Sequence, residues 1–333
     1  MSLRTAVIHG LSGVLYHSGL AGPIARGVGF ARPRPRVPIL TLHRVNDDND
    51  PFMPSLPTAV FAARMAHIAR HYRVLTVEDL ATRLREDRVP RNSLAITFDD
   101  GYRDNLTHAA PILNRLGLPA TIFLVTGHID TPRALWFDRL AMAFKTATAR
   151  RVELADGRLL SLTTVADRLA GLAAALGHMK RLPDDERSAA VEHLIGTLHP
   201  NPERPKRLML SWDEVAALRG LGFSIGAHTV THPVLSRLTP DRARDEIHNS
   251  KAAIEKALGV PVRAFAYPNG GPNDYNEAVT RLVREAGFAC AVTTRRGLND
   301  TDTPVLELRR GGPWEQHLPT YALKLAYYSA MGA

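Results

Sequence analysis

Two adjacent aspartates, Asp99 and Asp100, follow the apolar run LAITF and precede Gly101. Neighbouring side chains on an extended backbone point to opposite faces, so such a pair can divide two tasks, holding a cation and handling a proton. A helix N-cap accounts for one aspartate at a strand end, but not for two. Histidines four residues apart could complete a cation site, and the chain carries two such pairs, His67 with His71 and His228 with His232. With 14 histidines in 333 residues, chance alone produces roughly 0.6 pairs of that spacing, so position must decide between them. His67 and His71 lie within TAVFAARMAHIARHY, off the helical stripe of Phe61, Met65, Ile68 and Tyr72, which predicts a solvated flank. His228 and His232 follow the strand-like FSIGA, between Gly226 and Pro233, and are expected on the same strand-end face as the aspartates. Two imidazoles and one carboxylate leave positions open for water and substrate, as a hydrolytic metal requires. A zinc-like ion there lowers the pKa of its water from about 15.7 to about 7 and polarises a carbonyl. A second carboxylate nearby can take the proton. Zn2+ is the first expectation for this divalent site, with Co2+, Ni2+ and Mn2+ as alternatives.

These residues need a scaffold that delivers them to one face. From Val37 onward, strand-like segments (VPILTLHRV, RVLTV, SLAITF, PATIFLV, FSIGA, RAFAY, FACAVTT) alternate with helical ones. That alternation implies right-handed crossovers and a parallel sheet, and about seven strands favour closure into a barrel with its site at the strand C-termini. Between 138 and 210 apolar residues recur at helical spacing with no intervening strand (FDRLAMAFKTA, VADRLAGLAAALGHM, RSAAVEHLIGTL), which predicts a helical insertion. Residues 1–36 are expected to form an N-terminal segment and linker, ending in the proline-punctuated ARPRPRVP, and 37–333 the main domain.

At 333 residues and 45% hydrophobic content, the chain suits an enzyme-sized globular protein. The net charge of +9 is scattered, with no run of five basic residues and no base-stacking motif, which argues against nucleic acid and for an anionic membrane surface or phosphate-bearing lipid substrate. Residues 5–25 hold no charge but contain four glycines and two histidines, so an interfacial segment is expected before a signal peptide, and a spanning helix is disfavoured. The expected location is the cytoplasm or the periphery of an inner membrane, periplasmic or secreted if the segment is a signal. The single cysteine, Cys290, excludes an intrachain disulfide, and its setting GFACAV reads as an inert core thiol.

TFDDG (97–101), HTVTH (228–232) and RAFAYPNG (263–270), in this order, resemble the first three motifs of the polysaccharide deacetylases, carbohydrate esterase family 4, the NodB homology domain. The resemblance runs from about Val37 to about Arg310. It implies a distorted (β/α)7 barrel and hydrolysis of an N-acetyl amide, or less often an O-acetyl ester, on a sugar. It also implies that Asp99 is the catalytic base and that Asp100, His228 and His232 are the metal ligands. The N–H of Asn269 matches an oxyanion donor, and Tyr267 and Pro268 match groove-lining residues.

Two departures stand out. The family's arginine before the third motif's proline is here Ala266, so another group must orient Asp99, with Arg309 or Arg310 as candidates. The late histidine that serves as general acid is replaced by arginine in VLELRRGGPW, and Arg310 is expected on the substrate side, stabilising charge without releasing a proton. His43, in TLHRV, is the substitute acid candidate, ahead of His317. Trp136 is the first candidate for stacking on a sugar, ahead of Trp212 and Trp314, and His178, His193 and His199 are expected to be solvated. The expected partners are an N-acetylated polysaccharide, oligosaccharide or lipid-linked sugar, in exopolysaccharide or glycolipid biosynthesis. The alternatives are a deformylase or amidase acting on a lipid-linked amino sugar, and an inactive glycan-binding module.

Overall fold

The computed structural model describes residues 9, 12–18, 35–154, 157–201 and 207–331. Most of the expected N-terminal segment and linker therefore lies outside the described residues. β1 (Ile39–Leu42), β2 (Arg73–Leu75), β3 (Ser93–Phe98) and β4 (Thr121–Leu124) alternate with α1 (Thr58–His71), α2 (Val77–Arg85) and α3 (Ala110–Arg115). The insertion contributes α4 (Trp136–Thr146), β5 (Arg151–Glu153), β6 (Leu159–Ser161), α5 (Val165–Met179) and α6 (Asp184–Leu198). The chain then returns through α7 (Trp212–Gly220), β7 (Ser224–Ala227), α8 (Pro240–Leu258), β8 (Ala264–Ala266), α9 (Glu277–Glu285), β9 (Cys290–Val292) and α10 (Leu318–Met331).

Seven strands form one parallel sheet in the order β1-β3-β4-β7-β8-β9, with β2 paired to β3. β3 serves different neighbours along its length: Ser93–Ala95 pair with β2, and Thr97 and Phe98 with β4. The sheet curls until the segment after β9 spans its two edges. Leu308 bridges to Val292 in parallel, and the Gly311 N–H donates to the Ile39 carbonyl at 2.9 Å. The expected barrel is thus present in distorted form.

Period-two alternation sorts each strand between two cores. Leu40, Ile96, Ile122, Phe265 and Ala291 pack beneath the helices, whereas Ile39, Ala95, Phe123, Ala264 and Val292 fill the interior. Interior space is tight around Phe123. A Cβ on Gly226 would come within 2.5 Å of its ring, so β7 carries glycine there.

The insertion differs from its expectation. It contains an antiparallel hairpin, β5 with β6, between α4 and α5. Strands of three residues are too short to generate a periodic signal against the long helices around them. Leu140, Phe144, Leu172, Val191 and Leu198 give the insertion its own apolar core. His178 is half-buried there, while His193 and His199 are exposed.

The His67/His71 pair is also not a uniform flank. His71 is exposed, but His67 is buried, with Tyr16 at 5.7 Å and Tyr72 at 6.4 Å between ring centroids. Residues from outside the helix cover it, which α1 periodicity could not foretell. Cys290 is buried in β9, in keeping with an inert thiol.

Candidate active site

β3 ends at Phe98, whose ring joins the core under the helices, so Asp99 has the parity of the barrel interior. Its N–H still donates to the Leu42 carbonyl at 2.9 Å. The backbone then leaves the sheet through left-handed conformations at Asp100 (φ 74°) and Gly101 (φ 82°). Aspartate tolerates that region; at Gly101 a Cβ would also meet Leu124 Cδ2 at 2.9 Å. The turn carries the second carboxylate away from the first.

Inside the barrel mouth, Asp99 meets Arg310. The guanidinium donates from Nη1 to Oδ1 and from Nη2 to Oδ2, both at 2.7 Å. It also donates to Thr97 Oγ1 at 3.0 Å and, through Nε, to the Thr293 carbonyl at 2.8 Å. Both side chains are buried, Arg310 at 1% exposure. The position makes Arg310, of the two candidates, the group that orients Asp99, and corrects its placing on the substrate side: its donors face Asp99 and the barrel interior, not an open substrate groove. Arg309, one residue earlier, is exposed. Burial alone would raise the Asp99 pKa, but Arg310, aided by His228, holds this carboxyl well below its usual range.

Asp100 faces the histidines. Its Oδ1 lies 3.6 Å from His228 Nε2 and 3.5 Å from His232 Nε2, and all three side chains are buried. The three ligand atoms lie within 4.8 Å of one another. His228 Nδ1 is 2.7 Å from the Ala266 carbonyl. A carbonyl can only accept, so Nδ1 carries the proton and Nε2 presents a lone pair to Asp100. Asp100 Oδ1 has no hydrogen-bond partner among the described residues. Two acceptors facing each other without a proton suit a cation. Burial, then the charges of Asp99 and Asp138, push the Asp100 pKa up, while burial pulls His228 down to about 4 and His232 well below its ordinary value. Neutral imidazoles are the form that binds metal, and a cation would offset the strain on Asp100. The residues fit a divalent ion.

The HTVTH turn is held from α8. This helix starts at Thr239 and Pro240 and ends on Gly259 (φ 65°), and it carries buried Glu246 on its apolar stripe. Glu246 accepts from the N–H groups of Val230 (2.7 Å) and Thr231 (2.9 Å), and from the Thr231 hydroxyl (2.7 Å). Thr229 (φ 66°) and His232 (φ 59°) are both left-handed, and the three bonds hold that turn. Sequence reading missed Glu246, although an acid among Ala243, Ile247, Ser250 and Ile254 was a visible signal.

His43 stands beside Asp99, with Nε2 4.0 Å from Oδ2 and the side chain 49% exposed. The loop after β1 is pinned by Asp104, also missed. It accepts from Arg44 Nε (3.0 Å) and Asn46 Nδ2 (2.8 Å), while Asn105 Nδ2 donates to the His43 carbonyl at 2.8 Å. Protein crowding lowers the His43 pKa, outweighing the attraction of Asp99. His317 instead contacts Thr320 and stacks on His9.

Tyr267 does not line a groove. It is fully buried, stacks on Tyr275 at 4.4 Å, and donates from its hydroxyl to the Leu306 carbonyl at 3.0 Å. As the continuation of β8 it turns toward the helices, where Phe265 also packs. Pro268 is buried too, whereas Asn269 is half-buried, left-handed (φ 59°), and leaves its side-chain amide nitrogen unpartnered among the described residues. Trp136 is half-buried with the Arg187 guanidinium over its ring at 5.3 Å, and Trp314 is the exposed one, at 65%.

Residues 86–291 match the family model described as Polysaccharide deacetylase, which covers more than half of the chain. The chain belongs to the polysaccharide deacetylase family. As a member it is a hydrolase of N-acetyl amide bonds in carbohydrate, in a family that depends on metal. It is 23% identical over 277 residues to YxkH of Bacillus subtilis (strain 168), a protein named for polysaccharide deacetylase, with 83% of this chain and 70% of the relative aligned. Among solved structures, the deacetylase PplD of Streptococcus pyogenes in complex with acetate superimposes with a TM-score of 0.55 at 20% identity, covering 83% of this chain and 92% of that one. IcaB from Ammonifex degensii gives 0.55 at 17% identity, over 86% and 96%. At these identities the likeness speaks for the fold, and this deacetylase shares it.

Proposed function

We propose that this polysaccharide deacetylase removes N-acetyl groups from a carbohydrate with a divalent metal, Zn2+ first, held by Asp100, His228 and His232. The observation that carries the reading is the convergence of three buried ligand atoms on one point, two of them acceptors without a proton between, beside a separately anchored Asp99. A bound ion would supply Lewis acidity to the acetyl carbonyl and acidify a water. Asp99, kept ionised by Arg310, accepts a proton at the carboxylate edge that Arg310 leaves free. The half-exposed His43, 4.0 Å from Asp99, takes that proton from Asp99 and delivers it to the departing amine. The Asn269 N–H, at the end of a left-handed turn, steadies the oxyanion.

The substrate belongs to exopolysaccharide or glycolipid biosynthesis in this reading. The net charge of +9 supports work at an anionic membrane surface, on a polymer or a lipid-linked sugar. No helix among the described residues is long and apolar enough to cross a membrane.

Elemental analysis together with acetate release from N-acetylated oligosaccharides tests the reading. One equivalent of metal and stoichiometric acetate are expected. Bound metal without turnover on any acylated sugar would favour a glycan-binding module instead, and release of formate from an N-formyl sugar in place of acetate would favour a deformylase.

A further inference from the structure

Phe137 belongs to the first turn of α4, in the insertion, yet its ring stands edge-on to the imidazole of His232, with centroids 5.2 Å apart and planes at 68°. The two histidines are held differently. His228 is oriented by the Ala266 carbonyl through Nδ1, the usual way a ligand imidazole is fixed. His232 Nδ1 is buried and has no hydrogen-bond partner on another described residue, its own backbone being the one backbone group that acts on the ring. Among the described residues, two rings stand edge-on to His232: His228, at 4.8 Å and 76°, and Phe137. The next residue, Asp138, is buried and accepts from the Tyr102 hydroxyl with both carboxylate oxygens at 3.0 Å. Tyr102 follows Asp100 by two residues and shares a small apolar cluster with Phe137. One helical turn of the insertion therefore touches His232 directly and, through Asp138, Tyr102 two residues after Asp100.

We propose that Phe137 is a positioning residue for His232, its ring edge taking the place of the missing hydrogen bond, and that the Asp138–Tyr102 contact anchors the turn carrying it. The inference rests on Asp100, His228 and His232 being metal ligands. A ligand imidazole without an orienting bond can rotate about its Cβ–Cγ bond, and a packed aromatic edge limits that rotation. The insertion is then a wall of the site as well as an appendage.

The test compares the full chain with Phe137→Ala, Phe137→Tyr and Leu140→Ala, Leu140 being buried in the insertion core on the same helix. The readouts are the Zn2+ dissociation constant, by competition with a chromophoric chelator, and the visible spectrum of the Co2+-loaded protein. Phe137→Ala is expected to weaken Zn2+ by about ten- to hundredfold, the range for losing an orienting partner, and to alter the Co2+ spectrum. Phe137→Tyr keeps the ring and restores both, while Leu140→Ala lowers the melting temperature but leaves both unchanged. If alanine prevents folding, Phe137→Leu, which keeps apolar volume without a ring, carries the same expectation. Unchanged affinity and spectrum in the Phe137 variants overturn the proposal, as does an equal loss in Leu140→Ala. Failure of the parent chain to bind stoichiometric Zn2+ sinks the metal-centre reading itself, a result distinct from a parent that binds and an alanine variant that binds equally well.

Discussion

Arg310 and Asp99 meet through two parallel hydrogen bonds of 2.7 Å across 211 residues of sequence, where neither side chain reaches solvent. A fork of that kind fixes the plane of the carboxylate as well as its charge.

Breaking that fork leaves a buried carboxylate without its partner. Arg310→Met should cost about 3–5 kcal/mol of stability, read by urea unfolding. Arg310→Lys retains charge but loses the planar pair, so it should fold while kcat falls by about tenfold or more. A lysine variant with full kcat would show that the fork has no part in orienting Asp99.

The two aspartates should separate experimentally. Asp99→Asn is expected to keep its metal and lose about a hundredfold or more in kcat, the range for a general base. Asp100→Asn should instead lose metal, since Asp100 is the carboxylate facing both imidazoles. Paired metal analysis and acetate assays distinguish the two roles, and metal loss in the Asp99 variant would reverse them.

His43 should matter most when the leaving group needs a proton. His43→Gln is expected to lower kcat/KM on an N-acetyl sugar by about a hundredfold. On an aryl acetate, whose phenolate departs unprotonated, the loss should stay within a few fold. Equal losses on both substrates would assign His43 a structural role beside Asp99.

Glu246 should act through the turn it holds. Glu246→Ala removes three bonds to the HTVTH loop and is expected to weaken Zn2+ by about tenfold. Glu246→Gln retains a carbonyl oxygen for the two N–H groups and should lie close to the parent. Chelator competition on both variants checks the order.

His67 makes stability depend on pH. Burial, then His71 and Arg70, pulls its pKa down to about 4 in the folded chain, against about 6.5 unfolded. Between those values the unfolded chain binds the extra proton, so the contribution is complete above about pH 6.5 and is lost as pH falls toward about 4. The loss is on the order of 3 kcal/mol at full protonation. His67→Phe should therefore narrow the difference in unfolding free energy between about pH 7 and about pH 5, the other histidines cancelling in the comparison.

Local chemistry was legible along the chain. Alternating apolar strands ending in Asp99 and Asp100, and HTVTH after β7, determined a parallel sheet with carboxylates and imidazoles on one end, because period and spacing act over neighbouring residues. Glu246 was within reach by the same logic, as an acid on an apolar helical stripe. What tertiary structure alone decided depends on contacts between distant segments. Curling the sheet brought Arg310 onto Asp99. The path of β8 put Tyr267 into the core rather than a groove. Tyr16 packed against His67, and the insertion folded back to set Phe137 against His232. No periodicity encodes such meetings; they follow from which surfaces remain to be covered once the barrel has closed.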